Sequence, residues 1–231
     1  MRIEFGDIYG VSLEVPAPDS QEAILHIHSF AHETIRAKNC CGCSKSKKLR
    51  QRVVRQTSLL CATQTASEWH RRMLWGLAKL PYEHDRDPVK PKLLVLSNPF
   101  GGAGAARGNW QLVEPLFQKA HVEYQLVETQ YAGHAKEIVR DQLVPGQYDV
   151  IVTVSGDGLI HEIVNGLVNR RDWNKFRDTV TIGVVPGGSG NGLAKSLLHR
   201  HNENYGVMEA ALRVLKDRVV YVDLTELTLE Y

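Results

Sequence analysis

From residue 92 onward the chain alternates short apolar runs with amphipathic ones, and nearly every apolar run ends in a bend rich in glycine, proline or a hydroxyl. Strand-like segments fall at 92–97 (KLLVLS), 122–128 (VEYQLVE), 148–154 (YDVIVTV), 180–185 (VTIGVV) and 218–224 (RVVYVDL). Helical periodicity occupies about 108–119, 133–142, 158–169, 190–198 and 206–216. This alternation predicts an α/β fold, a mostly parallel sheet with helices on both faces. In such sheets ligands sit at the carboxyl ends of the strands. The residues directly after each strand are therefore the ones to weigh.

The third bend reads VTVSGDGLIHEIVNGL, residues 152–167. Leu159, Ile163 and Leu167 recur at helical spacing, with Ile160 and Val164 on the adjoining rows, so Ser155-Gly156-Asp157-Gly158 is a strand-to-helix turn. A helix N-terminus suits an anion, and a carboxylate beside one is costly unless it takes a proton or holds a metal. Asp157 also makes a good helix cap, and these four residues leave both readings open. Glu162 and Asn165 lie on the same helix away from its most apolar row; His161 reads as exposed.

The first bend, SNPFGGAGAARGN, has glycines at 101, 102 and 104 but no Gly-Lys-Ser/Thr, so it is not a Walker loop. Its first basic residue is Arg107. The second, ETQYAGHA, places Thr129 at a strand end. The fourth, PGGSGNGLAKS, carries four glycines within six residues together with Ser189 and Asn191, the composition of a backbone anion nest. Each bend is weak evidence alone. Two phosphate-type loops in one sheet, together with NPFGG, describe a nucleoside triphosphate site.

NPFGG, SGDGLIHEIVNGL and PGGSGNGLA, in this order, resemble the catalytic domain of the diacylglycerol kinase-like lipid kinases, and within that group the sphingosine kinases. The resemblance covers about residues 90–231. It implies ATP with Mg²⁺ as cofactors and a sphingoid base, phosphorylated at its primary hydroxyl, as substrate. Asn98, Pro99, Phe100, Gly101 and Gly102 would then contact the nucleotide, as would Thr129, Gln130, Tyr131, Ala132 and Gly133, then Glu162, and then Gly188, Ser189 and Gly190. Asp157 would accept the proton of the lipid alcohol, and Ser155, Gly156 and Gly158 would border that substrate. Asp157→Asn is accordingly expected to abolish transfer and spare ATP binding. The same Gly-Asp-Gly architecture also serves ceramide, diacylglycerol and NAD kinases. Family members continue into a second, β-rich domain, whereas this sequence stops at LTELTLEY; it is expected to be weakly active or inactive alone.

Residues 1–80 read differently. Strand-like runs at Ile3–Phe5, Val11–Val15, Ala23–His28 and Val53–Cys61 precede one helix, TASEWHRRMLWGLAKLP, with Thr65 and Glu68 at capping-box spacing and an apolar row of Trp69, Met73, Leu77 and Leu80. Strands closed by a Trp-bearing helix resemble a pleckstrin-homology-like domain; a generic small β domain fits the pattern as well. Residues 81–91, rich in proline and charge, form the expected linker to the catalytic subdomain at 92–231.

The net charge of +2 is too small to imply a nucleic-acid partner, but it is unevenly placed. Residues 34–67 contain no Asp or Glu and carry Arg36, Lys38, Lys45, Lys47, Lys48, Arg50, Arg52 and Arg55. A solvated basic loop with ordinary thiols is the simpler reading; the run also suits peripheral attachment to an anionic membrane surface, with Cys40, Cys41 or Cys43 as acylation candidates. The cysteines do not have zinc-site spacing, and no apolar run reaches the roughly 20 residues of a membrane-spanning helix. A cytoplasmic protein that binds membranes peripherally is expected; the competing class is a non-catalytic membrane-binding or regulatory protein.

Overall fold

The computed structural model describes residues 8–37, 47–77, 91–101, 104–216 and 219–225. Its larger sheet has four parallel strands, β4 (Lys92–Ser97), β5 (Glu123–Glu128), β6 (Val150–Ser155) and β7 (Thr181–Pro186), in the order β5-β4-β6-β7. Between and after them run α2 (Ala105–Lys119), α3 (His134–Glu137, continuing as a π turn over Ile138–Gln142), α4 (Asp157–Val168), α5 (Trp173–Arg177), α6 (Gly192–Arg200) and α7 (Val207–Leu215). Both faces of the sheet are covered, which is why its central strands are apolar at successive positions instead of alternating. On β4, Leu94 and Leu96 pack with α3 and α4 through Ala135, Val139, Leu159 and Ile163. Leu93 and Val95 pack with α2 and α7 through Trp110, Val113, Phe117 and Ala211.

The chain leaves β4 for β5 on one side and then crosses to β6 and β7 on the other. The switch point between β4 and β6 is where such sheets leave a crevice beyond the strand ends. Two details depart from the sequence reading. Residues 219–225 form no strand, and Tyr221 is almost fully exposed. The short helix α5 was not expected; it is anchored by buried Phe176, over whose ring the Arg170 guanidinium lies at 4.3 Å.

The smaller sheet is an antiparallel meander of β1 (Ile8–Glu14), β2 (Glu22–Ala37) and β3 (Lys47–Ala62), closed by α1 (Thr63–Leu77). Among the described residues it has three strands, two of them sixteen residues long. The run Ile3–Phe5, Cys40, Cys41 and Cys43, and the linker up to residue 90 lie outside the described residues. The helix begins at Thr63, so Thr65 is inside it and not its cap, while Glu68 pairs with Arg72 one turn on, at 2.6 Å. Its buried residues include Ala66, Met73 and Leu74, of which Met73 and Leu74 rest against the smaller sheet, whereas Trp69 is 58% exposed. Of the expected apolar row, Met73 lies in this contact with Leu74 beside it, and Trp69 does not.

The two sheets share a buried seam. Tyr9 and Phe30 pack against Leu116 of α2 and Leu212 of α7. Arg52 of β3 donates to both carboxylate oxygens of Glu203 at 2.8 and 2.6 Å, and Arg213 of α7 adds a further bond. Burial alone would push the Glu203 carboxyl up, but Arg52 and Arg213 outweigh it and hold it below its usual 4.5. Its contribution to stability is thus present at neutral pH and lost as pH falls from about 4.5 through the lower folded value. Glu203→Gln removes the buried carboxylate that Arg52 and Arg213 share and should cost about 3 kcal/mol at pH 7 in urea denaturation. The same variant should lose less stability between pH 5 and pH 3 than the parent does; parallel acid profiles would contradict the pairing.

Candidate active site at the strand ends

Two asparagines shape the two outer glycine bends by the same device. Beyond β4, Asn98 Oδ1 accepts the N–H groups of Phe100 and Gly101 at 3.0 and 3.2 Å. Beyond β7, Asn191 Oδ1 accepts those of Gly187 and Gly188 at 3.2 and 3.1 Å, and its Nδ2 returns a bond to Gly188 O at 2.6 Å. A side-chain amide here replaces backbone pairing and folds the chain back on itself. Asn109 of α2 ties the fourth bend to the first by donating to Pro186 O at 2.9 Å.

Between them lies the bend after β6, in backbone contact with the fourth. A Cβ on Gly156 would sit 2.5 Å from Gly190 O, and one on Gly188 would sit 2.3 Å from Gly156 Cα. Glycine is therefore demanded at both positions by the approach of one loop to the other. Gly158 is different: a Cβ there meets nothing within 4 Å.

Asp157 joins the two loops. Its N–H donates to Gly190 O at 3.0 Å, and its carboxylate accepts from Gly192 N at 2.7 Å and Leu193 N at 3.1 Å. It is a cap, but of α6, thirty-five residues away. Its own helix α4 starts from Gly156 without a side-chain cap. A carboxylate has about four acceptor sites, so roughly half remain open on this half-buried group.

A cleft of about 390 Å³ opens beyond β4 and β5, lined by Pro99, Phe100, Gly104, Arg107, Glu128, Thr129 and Gln130. It brings the first and second bends together. Thr129 is buried and bonded to Ser97 O at 2.8 Å, while Phe100 is 77% exposed at the rim. Gly133 has φ +89°, the left-handed turn that admits α3. Tyr131 stacks on His134 with centroids 4.7 Å apart and donates its hydroxyl to Glu137 at 2.5 Å, a bond that raises the phenol above its ordinary pKa. Ala132 and Ser189 are exposed, Ser155 is buried, and Gly102 lies outside the described residues.

Glu162 shares a row of α4 with Gly166, whose Cβ would lie 2.8 Å from Lys136 O of α3. It is one turn nearer the strand ends than that contact. Its Oε2 is buried with no hydrogen-bond partner, which makes it an acceptor without a donor. Asn165 instead gives its amide to His161 O of its own helix at 2.8 Å. The roles of Asn191 and Asn109, and the pairing of Arg107 with Glu128 across the cleft, were not foreseen. The composition of the fourth bend marked Asn191 as part of the nest but not its bonds to Gly187 and Gly188.

Residues 92–227 match the diacylglycerol kinase catalytic domain. The chain belongs to that family. Among relatives of this diacylglycerol kinase-like chain, sphingosine kinase 1 of Arabidopsis thaliana is 45% identical over 138 residues, covering 59% of this chain and 28% of its own length. Sphingosine kinase 2 of Homo sapiens is 38% identical over 157 residues, covering 64% of this chain and 22% of its own length. The chain thus spans about a quarter of the length of the curated relatives it matches. A crystal structure of a diacylglycerol kinase from Bacillus anthracis str. Sterne aligns with a TM-score of 0.46 at 23% identity, over 57% of this chain and 42% of that chain.

The two glycines flanking Asp157 offer a direct check of the loop junction in this diacylglycerol kinase-type domain. Gly156→Ala should destabilise by about 1–3 kcal/mol, because the added methyl overlaps Gly190 O. Gly158→Ala, in the first turn of α4 with open space around it, should be neutral or stabilise by up to about 1 kcal/mol. Urea melts of the pair read the contrast; equal costs at both positions would mean that the loops do not touch.

Proposed function

We propose that this chain carries the nucleotide-binding part of a lipid kinase that transfers the γ-phosphate of ATP to the primary hydroxyl of a sphingoid base. The observation that carries the reading is the junction at Asp157. A carboxylate with open acceptor sites is fixed by two N–H groups of α6, directly beside the loop of Gly188, Ser189 and Gly190. A primary alcohol is too weak an acid to lose its proton unaided at neutral pH, so transfer needs a positioned base. In the proposed step the alcohol oxygen bonds to the γ-phosphorus and the bond from that phosphorus to the β–γ bridging oxygen breaks. The hydroxyl proton passes to an open lone pair of Asp157.

Asn98, Pro99, Phe100, Gly101 and the turn Thr129–Gly133 would receive the nucleoside, with Glu162 behind that turn, and Gly188 to Gly190 the phosphates. Ser155, Gly156 and Gly158 would border the lipid headgroup. Mg²⁺, when bound with ATP, neutralises phosphate charge. Among the described residues no three His, Cys, Asp or Glu side chains converge, so the ion is expected to come with the triphosphate and take few protein ligands. The choice of a sphingoid base over ceramide, diacylglycerol or NAD rests on the names of the relatives and on the Ser-Gly-Asp-Gly wording of the turn.

An anionic membrane surface is the partner proposed for the smaller sheet. The support is the sequence run 34–67, which contains no Asp or Glu and carries Arg36, Lys38, Lys45, Lys47, Lys48, Arg50 and Arg55.

Radiolabel transfer to sphingosine, ceramide, diacylglycerol and NAD tests the reading, with sphingosine expected to be the acceptor even where turnover by this chain is slow. Asp157→Asn should lower transfer by at least about 100-fold. Because Asp157 also caps α6, the variant should weaken ATP binding as well, by up to about tenfold. Undiminished transfer by the variant would remove Asp157 from the role of base.

A further inference from the structure

Arg107 and Glu128 face each other across the mouth of the cleft. Arg107 stands in the first turn of α2 and Glu128 is the last residue of β5, next to Thr129. The guanidinium Nε and Nη2 donate to the two carboxylate oxygens at 2.9 and 2.7 Å, a bidentate pair whose side chains are 62% and 36% exposed. Exposed pairs are worth up to about 1 kcal/mol, with bidentate geometry the favourable case. A cation in the first turn of a helix is also disfavoured by the helix dipole. The pair adds modestly to the fold and orders two long side chains at the opening of the site.

Position supplies a task. The cleft lies beyond β4 and β5, on the opposite side of β4 from the β6 and β7 loops that hold the phosphate-type bends. A triphosphate reaching those loops leaves its sugar and base near β5. In open α/β sheets a carboxylate at the end of the strand after the glycine-rich bend is well placed to accept the hydroxyls of a ribose. Glu128 has that placement, and its hydrogen bond from Arg107 keeps it below the usual carboxylate pKa, hence an acceptor at neutral pH. Building on the nucleotide reading above, we propose that Glu128, oriented by Arg107, is a ribose-recognition residue that lets this site distinguish ribonucleotides from 2′-deoxyribonucleotides.

Equilibrium titration of the protein with ATP and with 2′-deoxy-ATP, each with Mg²⁺, reads this without requiring turnover. The parent should bind 2′-deoxy-ATP about tenfold more weakly than ATP, since the analogue leaves a polar group unpaired. Glu128→Gln should bring the two dissociation constants to within about twofold of each other. Arg107→Ala should narrow the ratio in the same direction, because the carboxylate loses its orientation. General loosening of the cleft would weaken both nucleotides alike and leave the ratio in place. A parent that binds both nucleotides equally, or a Glu128→Gln variant that keeps the parental ratio, overturns the proposal. So does equal weakening of both by Arg107→Ala with tightening by Glu128→Gln, which would mean that Arg107 grips phosphate. A parent that binds neither nucleotide defeats the nucleotide reading itself, and this inference with it.

Discussion

The backbone contact between the loops after β6 and β7 is the constraint on which the site depends. Neighbouring strands run about 4.8 Å apart, so two loops leaving adjacent parallel strands at the same end must either diverge or meet. Here they meet, with Gly156 against Gly188 and Gly190 at distances no Cβ could enter. Asp157 then becomes part of both loops at once, giving its N–H to Gly190 and taking two from the start of α6. An acid that serves one helix by its position in sequence is committed by contact to another. Its orientation is set by the fold itself, which the proposed role of proton acceptor requires.

The same helix is steadied from its far end. Glu203 follows α6 closely, its N–H bonded back to Leu198 O, and its carboxylate is held by Arg52 of the smaller sheet and Arg213 of α7. The smaller sheet thus does more than sit beside the larger one. Through Arg52 it braces the segment that ends the helix whose beginning is capped by Asp157. A long-range hydrogen-bonded pair at each end of a nine-residue helix limits how far its first turn can tilt.

Much of this architecture was legible in the sequence, for physical reasons that also explain the failures. The β4, β6 and β7 segments were readable because strands buried on both faces need continuous apolar runs, whereas the edge strand β5 is largely exposed and was marked by Tyr124, Leu126 and Val127 alone. Residues 218–224 carry the same pattern and form no strand over 219–225, since an apolar run needs a neighbour as well as a composition. Of the expected Trp69 row, Met73 is buried and Trp69 is not: large apolar residues weigh heavily in a pattern, while the contact with the smaller sheet selects Met73 and Leu74. At the site, glycine marked the bends but not the reason for each one. Gly156 and Gly158 look equivalent around Asp157, yet one is fixed by a neighbouring carbonyl and the other stands in open space. Pairings such as Asp157 with Gly192, or Arg107 with Glu128, join residues from separate strand–helix units, and no local pattern records them.

The sheet order also divides the chemistry. With β5-β4-β6-β7 as neighbours, three strand spacings separate the outer loops, a span of roughly 14 Å. Side chains dominate the β5 and β4 end, where Arg107, Glu128, Thr129 and Phe100 surround an open cleft. Main chain dominates the β6 and β7 end, where glycines exclude side chains from the junction. A ligand with a ring system at one end and an anionic chain at the other meets a suitable surface at each. The acid lies at the anionic end. On the proposed reading, an acceptor alcohol must approach from beyond β6, past Ser155 to Gly158, because the cleft side is already filled by the nucleoside. On that reading, the order of four strands sets both the donor's place and the direction from which the acceptor enters.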